Sequence, residues 1–173
     1  MKINKGLLLK CIAIPLLVGV VASLISGGGM ETFGRVDQPP LSPPGWLFPI
    51  VWTVLYTLMG ISSYLILTSG GNEAEIKKAL TVYAYQLVVN FLWPTFFFNF
   101  GWYLFAFLWL VLLWVLILIM IIQFYQLSKP AAYLMIPYLL WVTFAGYLNL
   151  AIWWLNETKH ASQVSLVIAM VAK

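Results

Sequence analysis

The sequence predicts an all-α fold, an integral membrane bundle of five transmembrane helices. Hydrophobic residues make up 63% of the 173 residues and charged residues only 8%, whereas a soluble domain is about half apolar and about a quarter charged. The charges are also bunched, which leaves uncharged stretches of 20, 35, 50 and 27 residues at 11–30, 38–72, 79–128 and 130–156. Because about 20 apolar residues cross a bilayer as a helix, these stretches have room for several crossings, and the expected surroundings are a lipid bilayer.

The first predicted span runs from about Leu7 to Ser26. Lys10 lies near the helix end, where its side chain can extend to the headgroups. A cleaved signal peptide is the alternative, with Lys2 and Lys5 preceding an apolar run over 11–25. We expect the segment to be retained as a helix.

A linker from Gly27 to Pro43 follows, with three glycines at its start and two proline pairs at its end. Glycine frees the backbone and proline stiffens it, so the segment is predicted to be a loop. Loops of this length in compact proteins are usually lids, binding loops or disordered segments. Pro44 is expected to open the second helix, which runs to about Thr68.

Three more spans follow at shorter intervals. The third covers about Leu80 to Phe100, with a kink expected at Pro94. Gly101 alone separates it from the fourth, Trp102 to Tyr125, so these two helices are predicted to form a tight hairpin. The fifth runs from about Ala131 to Leu155.

The domain prediction is one membrane domain over residues 1–156 and a tail over 157–173. The apolar part of the tail is too short to cross a bilayer, so the tail either lies along the surface, continues the fifth helix or is foreign to the natural protein. Five spans place the chain ends on opposite faces, and more basic residues fall on the N-terminal face than on the other. Since basic residues mark the cytoplasmic side, we expect the N-terminus in the cytoplasm, in a bacterial cell membrane. The N-terminal face carries Lys2, Lys5, Lys10, Lys77, Lys78 and Lys129, and the other face carries Arg35, Lys159 and Lys173.

Several function classes are disfavoured by what the spans lack. No Asp, Glu, Lys, Arg or His lies in the central part of a span, although ion pumps and proton-coupled transporters usually need one. The single cysteine and the single histidine, His160, beyond the last span, predict no metal site and no cofactor. The net charge of +4 comes from scattered residues, so no nucleic-acid partner is expected.

The spans are instead rich in aromatic rings, with 9 Trp, 9 Tyr and 11 Phe. Some of these rings share a helical face with a polar side chain. Two interpretations remain open. The amides and indoles either hold the helices together, or they line a pocket for a flat apolar ligand with a few polar groups. The faces are Trp52, Tyr56 and Ser63 in span two, Gln86, Asn90 and Trp93 in span three, and Trp141, Ala145, Leu148 and Asn149 in span five.

Three sequence blocks resemble those of a known family. PPGWLFPIVWTVLY at 43–56 is similar to its PPxWxxxxVWxxLY signature. QLVVNFLWP at 86–94, followed by Phe96 and Phe97, and PYLLWVTFAGYLN at 137–149 are similar to two further blocks, in the same order. The chain thus resembles the TspO/MBR family, the translocator proteins or tryptophan-rich sensory proteins, over about residues 7–156.

The resemblance implies a five-helix bundle with a ligand pocket beneath the first loop. The implied function is a membrane receptor or sensor that binds protoporphyrin IX and haem-related tetrapyrroles, with sterol-like lipids and benzodiazepine-type compounds as further ligands, and that aids their transport or regulation. The alternative is enzyme-like breakdown of bound porphyrin by light and oxygen, for which Trp52 and Trp141 would carry the chemistry. The implied ligand-binding residues are Pro43, Trp52, Gln86, Asn90, Trp93, Phe97, Trp141, Ala145 and Leu148.

The chain departs from the family pattern at three places. Phe33 stands where some members have a tyrosine that covers the pocket, so a hydroxyl contact is lost. Leu150 replaces the tyrosine of a sterol motif, which argues against sterol recognition by that motif. Some members form homodimers through two small residues four apart on helix three, and the corresponding residues here are Thr81 and the bulky Tyr85.

Overall fold

The computed structural model describes residues 3–27, 33–34 and 36–171, with side chains up to Glu157. Within that part the chain forms five long helices, one short helix and one π-helical turn. Helix α1 spans Lys5–Ile25, where the Asn4 side chain caps the first turn by accepting a hydrogen bond from the Leu7 backbone N–H at 3.1 Å. Arg35, which entered the predicted topology, lies outside the described residues.

Helix α2 spans Leu47–Leu67 and packs closely against α1. The prediction that Pro44 opens this helix is wrong by one turn. Pro44 instead begins a turn that precedes the helix, in which its carbonyl accepts a hydrogen bond from the Leu47 N–H at 2.9 Å. Gly60 permits the close packing, since a Cβ placed there would lie 2.4 Å from the Ile12 Cα.

Helices α3 and α4 form the predicted hairpin. Helix α3 spans Glu73–Pro94, and its chain continues as a π-helix over Thr95–Asn99, so Pro94 marks a change of helix type. Helix α4 spans Tyr103–Leu127. Gly101 has φ of 64°, a left-handed conformation that glycine adopts without steric cost.

The predicted fifth span is divided into two helices. A short helix, α5, spans Lys129–Leu134, and α6 spans Ile136–Val171 after a break at Met135. Both begin beside a proline, Pro130 and Pro137, where a missing N–H costs no intrahelical bond. Helix α6 runs on past residue 156, where the tail was predicted to begin. This agrees with the alternative in which the tail continues the fifth helix.

The bundle core lies between α2, α3, α4 and the first part of α6, around Met59, Leu113, Ile117 and Tyr138. Large apolar side chains point outward on every long helix, which is unfavourable in water but favourable in lipid. Among the described residues four segments are long and apolar enough to span a membrane: Lys5–Ile25, Leu47–Leu67, Tyr103–Leu127 and Lys129–Glu157. Helix α3 is the fifth long helix, and its first two turns carry Glu73, Glu75, Lys77 and Lys78.

Candidate functional site

Aromatic side chains bridge the space between α2 and α6, whose backbones are not closely packed against each other. The Phe48 ring lies 5.9 Å from the Trp141 ring, and the Trp52 ring lies 6.2 Å from the Tyr138 ring, both edge-on. We call Phe48, Trp52, Tyr138 and Trp141 the aromatic site. Edge-on arrangements of this kind are favourable for aromatic pairs.

The indole of Trp141 carries a polar group without a partner. Its Nε1 is buried and makes no hydrogen bond within the described part of the chain, although the residue as a whole is only half-buried. A buried tryptophan N–H usually finds an acceptor, and leaving one unpaired costs about 1–3 kcal/mol. The site therefore holds a hydrogen-bond donor that suits the acceptor oxygen of a ligand.

Trp52 is held by two tyrosines. It stacks on Tyr56 at 5.4 Å with an angle of 30° and meets Tyr138 edge-on. Trp52 is half-buried, whereas both tyrosines are buried. The orientation of its ring is therefore fixed by two side chains that are themselves fixed in the core.

A chain of buried hydrogen bonds fixes these tyrosines. The Tyr56 hydroxyl donates to Asn90 Oδ1 at 2.7 Å, and Asn90 Nδ2 donates to the Tyr138 hydroxyl at 2.9 Å. The Tyr138 hydroxyl in turn donates to Gln86 Oε1 at 2.8 Å. We call Tyr56, Asn90, Tyr138 and Gln86 the polar network; it joins α2, α3 and α6. For the two amides, the structure therefore favours the interpretation that they hold the helices together.

A second aromatic cluster lies beside the first. Trp93 stacks on Phe97 at 5.1 Å, and its Nε1 donates to Asn149 Oδ1 at 3.2 Å. Asn149 is buried and its Nδ2 donates to the Tyr103 carbonyl at 2.8 Å. Trp93 packs against the main core as well as this cluster. Its hydrogen bond to Asn149 therefore connects α6 to the main core and to the second cluster.

The first loop contacts the aromatic site. The Phe33 ring is buried, lies 5.1 Å from the Phe48 ring and packs in the cluster of Phe97. The loop is fixed at its far end, because the Tyr147 hydroxyl donates to the Pro40 carbonyl at 3.0 Å. An apolar phenyl ring thus lies at the place where the family resemblance predicts a covering tyrosine.

The predicted ligand-binding residues fall into two groups by burial. The half-buried residues are Pro43, Trp52, Trp93, Trp141 and Ala145, and the buried residues are Gln86, Asn90, Phe97 and Leu148. Sequence reasoning missed Tyr138 and Phe48 as site residues. Tyr138 precedes Trp141 by three residues and so shares its helical face, which is the signal that could have identified it.

No ionisable Asp, Glu, Lys, Arg or His takes part in the contacts of the aromatic site or the polar network given above. Nor does the described part of the chain bring together three His, Cys, Asp or Glu side chains that could hold a metal ion. The chemistry available at the site is therefore stacking, apolar burial and hydrogen bonding by neutral groups.

Comparison with known proteins identifies relatives over most of the chain. The model of the TspO/MBR family matches residues 11–155. The chain is 37% identical to "Tryptophan-rich protein TspO" of Chlorobaculum tepidum over 147 residues, which cover 84% of this chain and 93% of that protein. It is 35% identical to "Translocator protein" of Bos taurus over 155 residues, 87% and 90% of the two chains. It is 33% identical to "Protein CrtK" of Rhodobacter capsulatus over 138 residues, 80% and 85%.

Proposed function

Because the chain belongs to the TspO/MBR family, we propose that it binds protoporphyrin IX, haem-related tetrapyrroles and other flat apolar ligands at the aromatic site. Family membership and four long apolar helices make it an integral membrane protein and support a sensor or receptor role. The proposed physiological role of this binding is to aid the transport or regulation of the ligand. Benzodiazepine-type compounds fit the same chemistry.

The observation that carries this proposal is the indole N–H of Trp141, which has no hydrogen-bond partner among the described residues. A tetrapyrrole offers a large flat face for the rings of Phe48 and Trp52 and peripheral carboxylate oxygens for a donor. Stacking contributes about 0.5–1.5 kcal/mol per aromatic pair beyond area burial, and a hydrogen bond to a charged acceptor about 1.5–3 kcal/mol. Asn90 and Gln86 contribute by holding the tyrosines behind Trp52.

Titration of the purified protein with protoporphyrin IX, followed by quenching of tryptophan fluorescence, tests the proposal. We expect saturable binding that Trp141→Ala weakens at least tenfold, because the ring contacts and the N–H are both lost. Trp46→Ala is the matched control, since Trp46 is an exposed tryptophan outside the aromatic site. Binding that does not saturate, or equal losses in the two variants, would contradict the proposal.

One observation favours a second activity, the breakdown of bound porphyrin by light and oxygen. Trp52 on α2 and Trp141 on α6 belong to the same aromatic site, where each contacts a ring of the other helix, so a porphyrin bound there would lie close to two oxidisable indoles. Replacing both by Phe keeps rings for stacking but removes the indoles. The double variant should still bind and should lose light-dependent, oxygen-dependent conversion measured against a dark control. Full conversion by this variant would exclude the two tryptophans from the chemistry.

A further inference from the structure

A groove of about 760 Å³ lies on the outer surface of α3, away from the aromatic site. Leu67 at the end of α2 contributes to its lining, and α3 contributes the rest from Glu73 to Val88. Tyr85 and Val88 in this groove are 62% and 56% exposed. The groove therefore faces the surroundings of the bundle rather than its core.

The length of the groove matches one leaflet of a bilayer. Glu73 and Val88 are 15 positions apart, which is about 22 Å along an α-helix. Half of a bilayer, including its headgroup region, is about 20–22 Å thick. The charged residues lie at one end of the groove, and the lining from Leu80 to Val88 is mostly apolar. This arrangement follows the polarity of a single phospholipid from headgroup to acyl chain.

Two opposite charges lie at the headgroup end of the groove. Glu73 and Lys77 are one helical turn apart and both line the groove, and in the part of the chain that the structure describes they form no ion pair with each other. Glu73 is the outer residue, and Lys77 lies one turn closer to the apolar lining. In a phospholipid with an aminoethyl phosphate headgroup, the ammonium is also the outer group and the phosphate lies closer to the acyl chains.

We propose that the groove binds one phosphatidylethanolamine-type lipid, with its ammonium at Glu73, its phosphate at Lys77 and an acyl chain along Leu80 to Val88. A second copy of the chain is the competing occupant. Close helix pairing in membranes favours small residues at the contact, whereas the bulky Tyr85 lies in this groove. The proposal does not depend on tetrapyrrole binding, because it uses none of the residues of the aromatic site.

Native mass spectrometry of the full chain tests the headgroup assignment. The protein is reconstituted with equal amounts of phosphatidylethanolamine and phosphatidylcholine of identical acyl chains, then released into detergent. We expect one retained phosphatidylethanolamine, favoured about fivefold, the upper range for an exposed ion pair, because a trimethylated ammonium cannot donate a hydrogen bond to Glu73. Glu73→Gln should abolish the preference, and Lys77→Ala should lower retention of both lipids.

Two control variants remove the same charges beside the groove. Glu75→Gln and Lys78→Ala alter exposed residues of α3 outside the groove lining, and both should retain the lipid as the wild type does. Equal retention of the two lipids by the wild type, or equal effects of Lys77→Ala and Lys78→Ala, would overturn the proposal.

A blocking variant tests the acyl-chain part of the groove independently. Ala84→Trp fills the groove, and Val111→Trp places the same side chain on the exposed surface of α4. Only Ala84→Trp should lose the lipid, while both variants keep the helical circular dichroism of the wild type. A dimer that Ala84→Trp dissociates, in a wild type that retains no lipid, would show that a second copy occupies the groove and would overturn the proposal.

Discussion

Replacing Tyr138 by Phe removes one oxygen atom from the centre of the polar network. The hydroxyl accepts from Asn90 at 2.9 Å and donates to Gln86 at 2.8 Å, and no part of Tyr138 is exposed. The phenyl ring keeps its edge-on contact with Trp52. The variant therefore tests hydrogen bonding between α3 and α6 with little change in apolar packing.

The expected loss of unfolding free energy is about 1–3 kcal/mol. An interhelical hydrogen bond in a membrane protein contributes about 0.6 kcal/mol on average and up to about 1.7, and two such bonds are lost. The loss falls toward the upper end because Gln86 Nε2 already has no partner among the residues that the structure describes. After the change, the Gln86 amide would be buried without any partner, which is a further cost.

Unfolding in mixed micelles by increasing mole fractions of SDS, followed by circular dichroism, measures this loss. Tyr133→Phe is the control, because Tyr133 is 56% exposed and its hydroxyl makes no hydrogen bond in the described part of the chain. It should unfold as the wild type does. If Tyr138→Phe is as stable as Tyr133→Phe, the polar network does not hold the helices together and the reasoning is wrong.

Two further predictions concern helix packing and topology. Gly60→Ala should displace α1, since its Cβ would lie 2.4 Å from the Ile12 backbone, and should lower the unfolding free energy by about 1–3 kcal/mol. Gly146→Ala is the control and should leave the unfolding free energy unchanged, because its Cβ would meet nothing closer than 4.0 Å. Equal stabilities of the two variants would refute the close packing of α1 against α2. For topology, a cysteine at Asn72 should resist a membrane-impermeant thiol reagent applied to intact cells, whereas one at Ser42 should react. Labelling of the Asn72 variant from outside would reverse the assignment.

Element type and order could be read from the sequence because a bilayer imposes a length on each apolar stretch. The hairpin at Gly101 was predictable from a single glycine between two spans, and the structure confirms it. The start of α2 was not. Pro44 is compatible both with a first helical turn and with the turn that it forms, and sequence alone does not show which backbone groups it faces.

The helical face on which each residue of the candidate site lies could be predicted from the sequence, but its hydrogen-bond partners could not. A helical repeat places Gln86 and Asn90 on one side of α3, yet either a ligand or a neighbouring helix can satisfy an amide there. The structure brings the Tyr56 and Tyr138 hydroxyls to them from α2 and α6. Pro137 lies beside the start of α6, just after the break at Met135, and is compatible with a helix start, but this proline alone does not show which face of α6 meets α3.

Protoporphyrin IX affinity of the Ala145→Phe variant tests the central claim most directly. Ala145 is half-buried one turn after Trp141 and packs against the core, so a phenyl ring there would occupy the space proposed for the ligand. Leu140→Phe changes a 65% exposed residue of the same helix and is the control. The account predicts that Ala145→Phe weakens saturable binding at least tenfold, about 1.4 kcal/mol, in a protein that still folds, while Leu140→Phe binds as the wild type does. Equal affinities in the two variants would show that tetrapyrroles do not bind at the aromatic site.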